Sequence, residues 1–196
     1  MLAEKAGMAK RWRIKTVEPQ KSIVANARTI ISARLQHLYS CDEWAQSLQN
    51  INELHQMRIC AKRLRYSMEL FEFCFNRRLK KHIKLVKRIQ QLLGIIHDCE
   101  VMIAFLRNWL PPSTNSKAIS ERVPPARAKQ SAQERKGWQL EQAILELLDN
   151  RSATKAAAYS EFLALWNRMK KGGFKESLLK DLAEALRDES GRGKAS

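Results

Sequence analysis

The chain has 196 residues, with 36 Lys and Arg against 20 Asp and Glu, a formal charge of +16 with histidine neutral. That length holds one domain or at most two small bundles, and 44% hydrophobic residues exclude wholesale disorder. Seven Gly and five Pro exclude a collagenous chain and disfavour an all-β fold with its many turns.

Residues 1–18 read as a basic leader, with Lys10, Arg11, Arg13 and Lys15 around Trp12 and Ile14. It lacks the apolar segment of about 7–15 residues that a secretory signal needs. Pro19 suits a first helical turn and Ser22 an N-cap. Ile23, Ala27, Ile30, Ile31, Leu35 and Leu38 then recur at helical spacing and predict a helix over 20–39. A second helical pattern covers 42–75, with a break near Asn50. Its apolar seam is Leu54, Met57, Ala61, Leu64, Met68, Phe71 and Phe75. A third runs over 77–93, and Gly94 is expected to kink or cap it. A further helix over 95–110 ends at Pro111-Pro112.

Residues 111–125 hold four of the five prolines and read as a linker. Helical patterns resume over 132–148 and 153–170, until Gly172-Gly173. A last helix covers 175–187, and 190–196 form a flexible tail. No run alternates at period 2. The expected class is all-α, an antiparallel helical bundle, with one helical domain over 19–189. Trp44, Trp109, Tyr159 and Trp166 sit at core spacing, which favours packing over base stacking. No apolar run reaches the ~18 residues that span a bilayer. Cys41, Cys60, Cys74 and Cys99 contain no C-x-x-C pair, so neither a disulfide framework nor a zinc site is expected. A reducing, cytoplasmic setting follows.

The charge disfavours a free monomer with no polyanionic partner, because self-repulsion weakens the compact state. Its distribution is more telling. On the second helix His55, Arg58, Lys62 and Arg65 form a stripe, with Glu69 in line below. The Leu54 seam flanks it on one side; Ile59, Tyr66 and Leu70 flank it on the other. Neighbouring like charges cost a helix about 0.2–0.5 kcal/mol per pair, a cost that a bound polyanion relieves. Arg63 falls in an outward sector with Gln56 and Ser67. The third helix repeats the device with Lys80, Lys84, Lys87 and Gln91, flanked by Lys81 and Arg88. Eleven Lys and Arg lie between Arg58 and Arg88, against Glu69 and Glu72. Two neighbouring helices of this kind predict basic helices lining a surface groove or pore.

The helix His55-x-x-Arg58-x-x-x-Lys62-Arg63-Leu64-Arg65-Tyr66 resembles the signature of CHAD domains, the conserved histidine α-helical domains. The block from Lys87-Arg88 to Leu93-Gly94-x-x-x-Asp98 resembles that family's second motif. Arg13-Ile14-Lys15, Phe162 to Trp166 and Gly173-Phe174 resemble weaker features, extending the resemblance over about residues 10–187. The resemblance implies an all-helical domain that binds inorganic polyphosphate and is no enzyme. It implies phosphate contacts from Arg58, Lys62, Arg63 and Arg65, and from Lys84, Lys87 and Arg88. To these the charge pattern adds Lys80 and His55, an imidazole that charges near neutral pH beside an anion. Family members often carry two related halves, each with an H-x-x-R helix. Residues 126–187 contain no histidine, so a second signature is missing here.

The expected function is a non-catalytic module for inorganic polyphosphate, cytoplasmic and associated with polyphosphate granules or metabolism. The alternative is an RNA- or DNA-binding helical protein. An enzyme processing polyphosphate or organophosphates ranks below both, because Glu69, Glu72, Asp98 and Glu100 are too scattered to hold Mg²⁺ and no P-loop is present. No cofactor, metal or membrane partner is expected; His55 and His97 are ordinary candidates for structural hydrogen bonding.

Overall fold

A computed structural model describes residues 17–110 and 132–192. The linker and nearly all of the basic leader lie outside the described residues. Within them the fold is all-α, with no strand. The helices are α1 (Ile23–Tyr39), α2 (Ile51–Leu70), α3 (Lys80–Arg107), α4 (Ala132–Lys171) and α5 (Phe174–Arg192). Short 3₁₀ turns at Glu43–Gln46 and Glu72–Phe75 flank α2.

Helix α1 starts where the sequence signals it: Ser22 Oγ accepts a hydrogen bond from the Ala25 amide at 3.2 Å. Pro19 lies in the preceding turn rather than in the helix. That turn is held by Asn26, whose side chain both accepts from the Glu18 amide and donates to its carbonyl. The break before α2 is real. Its seam residues Leu54, Met57, Ala61, Leu64 and Met68 are all buried. After α2, Asn76 and Arg77 adopt left-handed backbone angles, φ 45° and 62°. That conformation costs an L residue about 1–2 kcal/mol, and it turns the chain into α3.

Two breaks expected from the sequence do not occur. Gly94 does not cap a helix; α3 continues through it to Arg107. A lone helical glycine costs about 1 kcal/mol against alanine, which a long packed helix absorbs. Likewise α4 runs unbroken through 149–152. There Thr154 Oγ1 donates to the Asn150 carbonyl at 2.8 Å, and the alanines at 153 and 156–158 favour helix. Gly173, at φ +66°, then ends α4, and α5 begins at once and extends past the expected tail boundary to Arg192.

The chain divides into two compact units: residues up to Gly94 together with those from Tyr159 onward, and Ile95–Ala158. In the first, α1 packs against α2 and α5. Its core includes Ile31, Leu35, Leu64, Phe75, Phe162 and Trp166, all fully buried. Each such side chain contributes about 1.5–3 kcal/mol when taken from water. Polar ties cross this core. The Asp42 carboxylate accepts from Trp166 Nε1 at 2.6 Å and from Lys170 Nζ at 2.7 Å. Tyr159 donates to the Ala45 carbonyl at 3.1 Å.

The second unit buries Ile96, Ile103, Leu106 and Ile144 and pairs Lys155 with Glu100 at 2.7 Å. It also leaves Met102, Phe105, Leu140 and Leu147 exposed. Trp109, expected in a core, is 63% exposed, because α3 has ended before it. The Trp44 side chain lies outside the described set. An 18-residue window of α3 reaches a mean hydropathy of 1.4, so by length and composition this one helix could cross a bilayer, contrary to the sequence expectation. Of that window 39% is buried in the fold.

Candidate functional site

On α2 the spacing of 3, 4 and 3 residues places His55, Arg58, Lys62 and Arg65 along one line. The buried Leu54 seam bounds that line on one side. His55, Arg58 and Arg65 are half-buried and Lys62 is exposed. The other flank departs from expectation. Ile59 is half-buried, but Tyr66 and Leu70 are exposed among the described residues. Tyr66 instead lies beneath the charges. Arg65 Cζ is 4.6 Å and Lys62 Nζ 5.6 Å from its ring centroid, within cation–π range.

Arg58 connects α2 to α3. A Cβ added at Gly94 would meet Arg58 Nε at 3.6 Å, so the guanidinium rests against the bare backbone of α3. Arg58 Nε is buried and has no hydrogen-bond partner among the described residues. Lys80, Lys87 and Gly94 are spaced by sevens, about 10.5 Å per step along one helical line. Arg58 therefore supplies a positive charge where that line would otherwise have none. Lys84 stands beside it, and Lys80, Lys84 and Lys87 are all exposed.

Several cations are neutralised by acids that lie far away in sequence. Arg88 pairs with Glu161 of α4. Lys81 pairs with Asp181 of α5 at 3.0 Å and Arg78 with Asp188 at 3.0 Å. Arg65 is 3.6 Å from Glu69 one turn along α2, and its buried Nε has no hydrogen-bond partner among the described residues. Arg58, Lys62, Lys80, Lys84 and Lys87 have no ion pair among the described residues. Arg88, expected to contact phosphate, is exposed and engaged with Glu161. Arg63 is neither on the stripe nor in open solvent. It is half-buried, and its charge reaches Arg34 of α1. The Arg34 guanidinium is held below its ordinary value first by burial and then by Arg63. The wheel misplaced this sector because α1 packs close to it.

His82, which the charge pattern gave no role, is the buried histidine of this unit, 2% exposed, with Nε2 at 2.7 Å from Asp181. Burial pushes its pKa down, opposed by the Asp181 hydrogen bond. Asp181 would be raised by burial, but bonds from His82 and Lys81 outweigh that and hold it low. Among the described residues no three His, Cys, Asp or Glu side chains gather as a metal site would require.

No curated protein and no solved structure matches the chain. The family model for the CHAD domain matches residues 4–107. The match takes in α1, α2 and all of α3, with Arg58 and Gly94 inside it, and stops before α4. Over that span, more than half of the sequence, the chain belongs to the CHAD domain family.

Proposed function

We propose that this chain is a non-catalytic binding module for inorganic polyphosphate, which it holds along α2 and the first turns of α3. The observation that carries the reading is the seat of Arg58 on Gly94, in line with Lys87 and Lys80. It extends one row of cations with a residue from another helix. Cations three or four residues apart stand about 5–6 Å from one another, which suits a ligand whose charge repeats along a chain. Arg58 offers a planar fork to phosphate oxygens, and the lysines act as point charges. Acids on α4 and α5 neutralise Arg78, Lys81 and Arg88 but leave this row without ion pairs among the described residues.

The module acts in the cytoplasm, at polyphosphate granules or beside enzymes of polyphosphate metabolism. It lacks the second H-x-x-R helix, so a second chain is a candidate to complete the surface. Ligand that binds only the folded chain stabilises it by about 2.7 kcal/mol at 100 times its dissociation constant. At about 2–4 °C per kcal/mol for this size, long-chain polyphosphate should raise the melting temperature by about 5–10 °C. Orthophosphate at equal phosphate concentration should leave it unchanged. Equal shifts with both refute the extended surface, and a larger shift with RNA assigns the surface to nucleic acid.

A further inference from the structure

We infer that Cys41 and Cys60 form a thiol–disulfide pair, oxidised by a hydroperoxide, that ties the end of α1 to α2. The two residues are 1% and 3% exposed, and their sulfurs lie 3.7 Å apart. A disulfide needs about 2.0 Å, so the bond requires a modest approach. Cys41 stands in the turn after α1, outside any helix, and Cys60 lies midway along α2. Cys41 Sγ also lies 3.4 Å from the His37 carbonyl, an alternative acceptor for its one thiol hydrogen.

The surroundings distinguish the two sulfurs. Cys60 is held below the ordinary thiol value, first by the hydrogen bond from Cys41, then by His37 and Arg63, against burial. Cys41 is pushed upward by the same contact and by burial. A thiolate is the reacting form, so Cys60 is the attacking sulfur and Cys41 the resolving one. The two sulfurs are in van der Waals contact, with His37 and Arg63 close enough to act on Cys60.

The chemistry balances with hydrogen peroxide as oxidant. The Cys60 thiolate attacks one peroxide oxygen; the S–O bond forms, the O–O bond breaks, and hydroxide leaves and takes a proton to become water. Cys41 gives up its proton and attacks the sulfenic sulfur; the S–S bond forms and the S–O bond breaks, releasing a second water. Two thiols lose two electrons and the peroxide gains them. The pair lies within the same unit as the polyphosphate surface but does not depend on that reading.

The test uses the unaltered reduced chain, treated with a small excess of hydrogen peroxide, quenched with acid and alkylated in denaturant. Free thiols should fall from four to two. A non-reducing digest should join the Cys41 and Cys60 peptides, and dithiothreitol should restore both. In Cys41→Ser, the disulfide should be lost and Cys60 should be trapped by dimedone. Four surviving thiols overturn the inference, as does loss confined to Cys74 or Cys99 or to bonds between chains. Trapping at Cys41 in Cys60→Ser, without trapping at Cys60 in Cys41→Ser, overturns the assignment of roles.

Discussion

Gly94 allows fold and site to be perturbed separately. Replacing a mid-helix glycine with alanine gains about 0.8–1 kcal/mol of helix propensity. The new Cβ would lie 3.6 Å from Arg58 Nε, an ordinary van der Waals distance, so no steric cost offsets that gain. Gly94→Ala should therefore raise the melting temperature by about 2–4 °C and leave polyphosphate affinity unchanged. Gly94→Glu places a carboxylate beside the same guanidinium. It competes with phosphate for Arg58, and a charge-assisted hydrogen bond is worth about 1.5–3 kcal/mol, so affinity should fall at least about tenfold. The log–log salt slope should also shrink by about 0.7 per charge lost, by analogy with single-stranded polyanions. Scanning fluorimetry and binding isotherms at two salt concentrations read both effects. A destabilised alanine variant, or a glutamate variant that binds like wild type, refutes the placement of Arg58 on α3 as the join of the surface.

Asp42→Ala removes the acceptor of the buried Trp166 indole and should cost about 1–3 kcal/mol, read as a lower urea midpoint; an unchanged midpoint contradicts it. Glu161→Gln frees Arg88 from a half-exposed pair, so stability should change by less than about 1 kcal/mol while polyphosphate affinity rises. The pH dependence follows from His82 and Asp181. Because burial lowers the His82 pKa, the unfolded chain takes a proton near pH ~6.5 that the fold resists. Stability from His82 is complete above that value and declines below it. Asp181, held low, adds a second loss below about pH 4. The urea midpoint should fall from pH 7.5 to 5.5, and a rise contradicts this sign.

Local signals proved readable where they depend on near neighbours. Ser22 caps α1, the Leu54–Met68 seam is buried, and the half-buried state of Arg58 and Arg65 follows from their place beside that seam. The misreadings arose where distant chain decides. Gly94 looked like a kink or cap, yet α3 continues through it, and the Arg58 side chain beside it comes from another helix. The continuation of α4 through 149–152 was missed for a local reason instead: the Thr154 bond and the flanking alanines carry it. Lys81 and Arg88 looked like free charges because Asp181 lies 100 residues from the first and Glu161 lies 73 residues from the second. Trp109 carries a core residue's chemistry at a position beyond the end of its helix. Nothing in the local pattern marked Asp42 as the acceptor that fastens α4 to the α1–α2 connection.

The central claim is that α2 and α3 together bind polyphosphate. It is tested most directly by measuring long-chain polyphosphate binding to wild type and to Arg58→Glu/Lys62→Glu, at two salt concentrations with RNA as competitor. Wild type should bind tightly and salt-dependently without displacement by RNA, and the variant should lose binding while its melting temperature without ligand stays near wild type. Equal binding by both proteins, or displacement of polyphosphate by RNA, would contradict it.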